Sequence, residues 1–320
     1  MCTCIFIKSE NSYFGRNLDL DYSFNEKVII TPRNFPLTFR KEKTITSHYA
    51  FIGMGTMIDN YPLYAEATNE KGVSIAGLNF PENAYYFKYC KGKENYAPFE
   101  LPLIILARCK NIKEVKNLCN NLNIIDVCFS KDVKNTPLHF MISDKNESIV
   151  LESTKDGLRI YDNPFNVLTN NPPFSYHKEN IKNYLNISNE SPINTISKTV
   201  EIKTYSFGQG GFGLPGDFSS SSRFVKAFFV KENLILKNNE THNVINFFKC
   251  LESVSMPLGA VKIKNEYEYT RYSSCINLDK GIYYYKTYYN PNIYQINLFE
   301  EKYKSTSLII HKLNNDYKIN

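Results

Sequence analysis

A chain of 320 residues with 42% apolar and 22% charged residues can bury a sizeable core and is not disordered. Its formal charge of +6 comes from 38 basic and 32 acidic residues scattered along the sequence, without the clustered Lys/Arg stripe that nucleic-acid binding requires. No stretch approaches the roughly 18 apolar residues that span a bilayer, and MCTCIFIKSE lacks a secretory pattern, so no membrane insertion and a cytoplasmic setting are expected.

No internal repeat and no Pro/Gly/Ser-rich linker divides the sequence, so residues 1–320 read as one domain. Residues 2–7 are rich in β-formers and Asn11-Ser12 makes a turn before Tyr13-Phe14-Gly15, which predicts a hairpin. Further strand pairs are expected at 28–31 with 50–57, and at 64–68 with 73–79 around the turn Asn69-Glu70-Lys71-Gly72. Between 97 and 122 the period changes. Ile112, Val115, Leu118, Cys119 and Leu122 recur at helical spacing, and Asn111 with Glu114 resembles a capping box, so two consecutive helices are predicted there. Strands return at 138–143, 148–152 and 158–161; 244–251 reads as a helix, and 271–289 as a Tyr-rich hairpin turned by Asp279-Lys280-Gly281. Runs of strands broken by a helical pair indicate an α+β fold of antiparallel sheets covered by helices.

The eight cysteines stand at 2, 4, 90, 109, 119, 128, 250 and 275 without C-x-x-C or paired-His spacing, so neither a zinc site nor a disulfide framework is indicated. One position stands apart. Removal of Met1 would put the Cys2 thiol and a free α-amine on one residue, a nucleophile that carries its own base. A model thiol titrates near 8.5 and a model α-amine at about 7.7–8.0, so the amine can accept the thiol proton near neutrality.

Four segments place Arg, Asn or Asp beside strand ends or turns: FGRNLD at 14–19, AGLNFP at 76–81, VLTNNP at 167–172 and LPGDFSSSSRF at 214–224. Singly, each has a structural reading. Arg16 with Asp19 could be an ion pair, Asn79 and Asn170 could satisfy turns, and Arg223 could be a surface charge.

Together with MCT at the start and GIYYYKTYYN at 281–290, these segments resemble the choloylglycine hydrolases, the conjugated bile acid hydrolases with penicillin V acylases as sister activity. The resemblance implies an N-terminal nucleophile hydrolase with an αββα sandwich, two antiparallel sheets between helix layers, usually assembled as a homotetramer. It implies Cys2 as nucleophile, Arg16 beside the thiol, Asp19 on the nucleophile and its amine, Asn79 and Asn170 in the oxyanion site, and Arg223 completing the cluster. It requires no metal or cofactor. The substrate implied is a glycine- or taurine-conjugated bile acid, because Asn79 stands where penicillin V acylases commonly carry Tyr. Tyr22, Phe24, Ile58, Tyr61, Tyr64 and Phe129 are candidates to line the steroid pocket. Penicillin V or acyl-homoserine lactone acylase activity are the alternatives, with an inactive binding protein of the same fold as the non-enzymatic one. Cys4 departs from the Gly of many relatives; it reads as a small core residue, or as a partner that oxidation could link to Cys2.

Overall fold

The computed structural model describes residues 1–318. In chain order, β1 (Cys2–Lys8) and β2 (Ser12–Leu20) form the first hairpin, followed by β3 (Lys27–Thr31), β4 (Phe51–Ile58), β5 (Tyr61–Asn69) and β6 (Ser74–Asn79). A short β7 (Glu94–Tyr96) precedes α1 (Leu101–Arg108), α2 (Ile112–Cys119) and β8 (Leu122–Ile124). The meander β9 (Leu138–Ser143), β10 (Ser148–Thr154) and β11 (Gly157–Asp162) leads to β12 (Val167–Leu168) and α3 (Phe174–Asn180). Then come α4 (Ser220–Glu232), α5 (Glu240–Glu252), β13 (Val261–Ile263), β14 (Glu266–Asn277), β15 (Ile282–Thr287), β16 (Tyr294–Asn297) and β17 (Ile309–Lys312).

Two antiparallel sheets form the centre. One runs β12-β1-β2-β14-β15-β16 with β13 attached to β14; the other runs β11-β10-β9-β6-β5-β4-β3-β17. One hydrophobic cluster joins Phe6, Phe14, Ile52, Leu78 and Met141 between the sheets and continues through Ile5, on the other face of β1, to Phe224, Phe247 and Leu251 of α4 and α5. A second places Phe51, Ile75, Phe140 and Ile142 against Leu103, Ile104, Val115 and Leu118 of α1 and α2. The layers are therefore helix, sheet, sheet, helix, the α+β sandwich expected from sequence.

The hairpins arise where strand pattern and turn residues agree. The Asn111 side chain caps α2 by accepting the Glu114 N–H at 2.9 Å, while the Glu114 carboxylate reaches back to the Lys110 N–H at 2.9 Å, one residue short of a full capping box. Gly15 of FGRNLD is dictated by packing, since a Cβ there would meet Ser274 O at 2.0 Å, so β14 can lie against β2 only if that side chain is absent. Helix α4 escapes the periodicity analysis because its first turn is Ser220-Ser221-Ser222-Arg223, which shows no apolar stripe.

Candidate active site

Strand β1 begins at Cys2, which is buried, and pairs along its length with β2. Cys4 lies directly opposite Arg16, and alternation puts Cys2 on that same face. Arg16 is wholly buried. Its Nη1 donates to the Gly77 carbonyl at 2.6 Å and the Ala65 carbonyl at 3.1 Å, on the facing sheet, and lies 4.0 Å from Glu66 Oε2. Glu66 is itself held by the hydroxyls of Tyr272 at 2.7 Å and Tyr283 at 2.6 Å. Burial pushes the Glu66 carboxyl up, against the pull of Arg16 and the two tyrosines. For Arg16, burial works against the charge, but Cys2, Tyr272 and Glu66 outweigh it and leave the guanidinium raised above its ordinary value.

Asp19 leaves β2 on the opposite face, with Asn17, whose Nδ2 donates to the Leu251 carbonyl of α5 at 2.8 Å. Its backbone brackets the chain start: the Asp19 N–H donates to the Met1 carbonyl at 3.0 Å, and its carbonyl accepts the Met1 ammonium at 2.8 Å. The ammonium also contacts the buried Glu268 carboxylate. Burial lowers the affinity of this amine for its proton, while Cys2 and Asp19 raise it. Arg16 and Asp19, three positions apart on one strand, thus flank β1 from its two faces.

Asn170 joins the elements. Its Oδ1 accepts the Cys2 N–H at 2.7 Å and Arg223 Nη2 at 2.9 Å, and its Nδ2 donates to the Asn79 carbonyl at 2.7 Å. The second proton of Nδ2 is left for another acceptor. Its own backbone is pinned at both ends: the N–H donates to Ser220 Oγ at 2.8 Å, and the carbonyl accepts from His177 Nε2 at 3.1 Å. Asn171–Pro172 follows as a cis peptide. His139 anchors the same segment, spanning Glu152 at 3.2 Å and the Thr169 carbonyl at 2.8 Å.

The serine run in LPGDFSSSSRF has a separate job for almost every residue. Ser219 caps α4 on the Ser222 N–H, Asp217 accepts from Ser222 Oγ at 2.6 Å, and Ser220 holds Asn170. Hydrogen bonds from Ser219 and Ser222 hold the Asp217 carboxyl down at about 2. One turn on, Arg223 is buried and donates through Nη1 to the Cys2 carbonyl and to Thr3 Oγ1 at 2.7 Å. Burial pulls the Arg223 guanidinium down, with Asp19 and Cys2 opposing.

The structure therefore brings Cys2, Arg16, Asp19, Asn170 and Arg223 around one chain end, with Asn79 touching through its carbonyl. The proposed pocket residues do not form one lining. Tyr64 packs on Phe51 in the outer helix-covered layer, with its hydroxyl 2.7 Å from Thr31 Oγ1. Tyr61 and Phe129 join Phe99 in an aromatic cluster beneath Arg40. Phe24 packs at the margin of the inter-sheet core, Ile58 is half-buried and Tyr22 is exposed. Cys4 is fully buried, and burial pushes its thiol well up, which favours its core role. Sequence reasoning missed Glu66, Thr270 and His177; of these only Glu66, a lone charge inside an apolar strand, carried a signal.

His177 supplies a pH effect. The Asn170 carbonyl can only accept, so Nε2 carries the proton and the ring is neutral; burial holds its pKa down at about 4. An unfolded histidine protonates near 6.5, so between pH 6.5 and 4 the unfolded chain binds a proton that the folded chain refuses, and stability falls as pH falls. On going from pH 7 to 4.5 this group should remove about 2–3 kcal/mol. Denaturant titrations should show His177→Gln losing correspondingly less than the parent over that interval, and equal losses would refute the assignment.

Among the described residues, no helix is long and apolar enough to cross a membrane, and no group of three or more His, Cys, Asp or Glu is set to hold a metal ion. Comparison with known proteins gives a consistent result. Residues 2–311 match the model of the family "Linear amide C-N hydrolases, choloylglycine hydrolase family". A bile salt hydrolase/transferase from Lactiplantibacillus plantarum is 48% identical, covering 99% of this chain and 98% of the relative. One of the same name from Clostridium perfringens is 38% identical, covering 100% and 99%. The crystal structure of a mutant conjugated bile acid hydrolase from C. perfringens superposes with a TM-score of 0.92 at 37% identity, covering 100% of this chain and 99% of that one. Penicillin V acylase from Agrobacterium tumefaciens shares the fold, with a TM-score of 0.77 at 17% identity over 98% of this chain and 92% of that one. With the match running from Cys2 through every segment that builds the cluster, the chain belongs to the choloylglycine hydrolase family of linear amide C–N hydrolases.

Proposed function

We propose that this chain hydrolyses the C–N amide bond of glycine- or taurine-conjugated bile acids with Cys2 as nucleophile. The convergence of Arg16, Asp19, Asn170 and Arg223 on Cys2 carries this reading, together with the relatives named as bile salt hydrolases. Once Met1 is removed, the Cys2 α-amine takes the thiol proton and the thiolate adds to the amide carbonyl. Arg16 favours the thiolate, and Asp19 orients the ammonium. The remaining Nδ2 proton of Asn170 and the half-exposed side-chain amide of Asn79 serve the developing oxyanion, a role worth about 3–4 kcal/mol per donor. The ammonium protonates the departing glycine or taurine nitrogen, leaving a thioester. Water, deprotonated by the same amine, then releases the bile acid and restores the thiol.

Tyr22, Phe24, Ile58, Tyr61, Tyr64 and Phe129 remain the pocket candidates under this reading, with Tyr61 and Tyr64 both packed against the helix-covered cluster. We further take residues 1–320 as one domain acting in the cytoplasm as a homotetramer. The arm at 185–212, with Leu185, Ile196, Tyr205, Phe207 and Phe212 exposed, is the surface that assembly would cover.

The test is release of product from taurocholate, glycocholate and penicillin V in parallel, with the intact mass and the native mass of the same sample recorded. Turnover of the two bile acid conjugates by chains lacking Met1, at a native mass near four chains of 37.1 kDa, is the expected result. Turnover of penicillin V alone would overturn the substrate assignment, and a wholly inactive chain already lacking Met1 would favour a binding protein.

A further inference from the structure

Asp19 needs one oxygen held still if the other is to meet the ammonium of Cys2, and the structure holds one. Thr270 stands directly across the ladder from Asp19, where β14 carries a bulge before Tyr272. Its hydroxyl is buried and has two partners: it accepts the Met256 N–H at 2.8 Å and lies 2.6 Å from Asp19 Oδ1. An amide N–H can only donate, so it occupies a lone pair of the hydroxyl and leaves the hydroxyl proton for Asp19. A second backbone bond, from the Thr270 N–H to the Met256 carbonyl at 3.0 Å, fixes the same turn. Asp19 Oδ2, by contrast, is buried with no hydrogen-bond partner.

We propose that Thr270 is a positioning residue: its hydroxyl, locked by the Met256 amide, fixes Asp19 Oδ1 and leaves Oδ2 to receive the Cys2 ammonium. The inference rests on the reading of Cys2 as a nucleophile with its own amine. Charged and titratable groups reach this point from the neighbouring elements: Cys2 and the chain-terminal amine at the start of β1, Arg16 from β2, Arg223 from α4 and Glu268 from β14, with the paired Glu252 of α5 and Lys286 of β15 lining the cavity beside Thr270. A carboxylate left free to rotate among them would be drawn toward the guanidinium of Arg223 and would hold the ammonium less well.

Thr270→Val keeps the shape and removes both hydrogen bonds. Chains confirmed by mass to lack Met1 are compared as parent, Thr270→Val and Thr270→Ser, for kcat and KM on taurocholate, and for the pH dependence of Cys2 alkylation by iodoacetamide. Thr270→Val should lower kcat by about 10- to 100-fold with KM nearly unchanged, the loss expected of a misplaced reacting group, and should shift the alkylation profile. Thr270→Ser should stay within about threefold of the parent. Should Thr270→Val fail to fold, Thr270→Ala is measured instead; a cavity of about 300 Å³ lined by Glu252, Met256 and Thr270 gives water access to the position, and the loss should be smaller but of the same kind. A Val or Ala variant with parental kcat and alkylation profile overturns the proposal, as does a Ser variant as impaired as Val, which would mean that the methyl group matters. If Cys2→Ser turns over taurocholate, the nucleophile reading itself fails, a result that no Thr270 variant can produce.

Discussion

Cys2→Ser should lose taurocholate turnover by at least about 10³-fold while keeping its fold. The substitution exchanges one heavy atom at a buried strand start, leaves the backbone bonds to Asn170 and Arg223 in place, and still permits removal of Met1. What changes is acidity. A hydroxyl does not ionise near neutrality, and neither Arg16 nor the α-amine can make up that difference. Steady-state product release, with thermal unfolding as the control for folding, checks the result. The parent, quenched during turnover, should also carry the mass of a bound cholyl group that the variant lacks. Substantial turnover by a well-folded serine variant would remove the thiol from the mechanism and with it the reason for Arg16 beneath β1.

The second large effect is expected at Asn170. One side chain there serves the Cys2 N–H, Arg223 Nη2 and the Asn79 carbonyl, and has a proton to spare. Asn170→Ala should cost about 10²- to 10³-fold in kcat, as when an oxyanion donor is lost. It should also cost about 1–3 kcal/mol of stability, because a buried guanidinium loses an acceptor and the Asn79 carbonyl a donor. Asn170→Asp separates the two functions. It keeps the acceptor for Cys2 and Arg223 but removes the donor and sets a carboxylate oxygen against the Asn79 carbonyl, so its stability should recover only in part relative to Ala while kcat stays as low as in Ala or lower. If Asp retained high activity, Asn170 would matter as an acceptor that places Cys2, and the oxyanion role would pass to Asn79 alone. Stopped assays over a range of taurocholate concentrations, paired with denaturant melts, give both quantities.

These effects depend on contacts of very different sequence range, which explains what could be foreseen. The hairpin of β1 and β2 was legible because its strand formers and its turn are near neighbours, but the turn falls at residues 9–11 with Ser12 already in β2, and the Cys4–Arg16 register appears only in the structure. The helical pair at α1 and α2 and the β9–β11 meander were legible for the same reason. The roles of Arg16, Asp19, Asn79, Asn170 and Arg223 were reached only through the resemblance, since nothing local says that Asn170 meets a residue 168 positions away. Helix α4 was not legible, because a run of serines has the composition of a loop until one sees that Asp217, Ser219 and Ser220 are a cap and a clamp.

The sequence by itself determined the order of the motifs, the family to which they point, the layered α+β architecture and the identity of the chain-end thiol. Tertiary structure alone decided which faces these side chains present. The register of β4 and β5 shifts between Met54 and Gly55, so that Ala65 is an extra residue and Tyr64 turns into the helix-covered layer, away from the sheet that carries Cys2. It also decided what holds the cluster: Glu66 with two tyrosines behind Arg16, His177 behind Asn170, and Thr270 behind Asp19 across 251 positions of chain. Alternation along a strand can be read from residues, but a bulge, a sheet crossing and the second partner of a buried carboxylate arise only when distant segments pack, because only packing removes the water that would otherwise satisfy those groups.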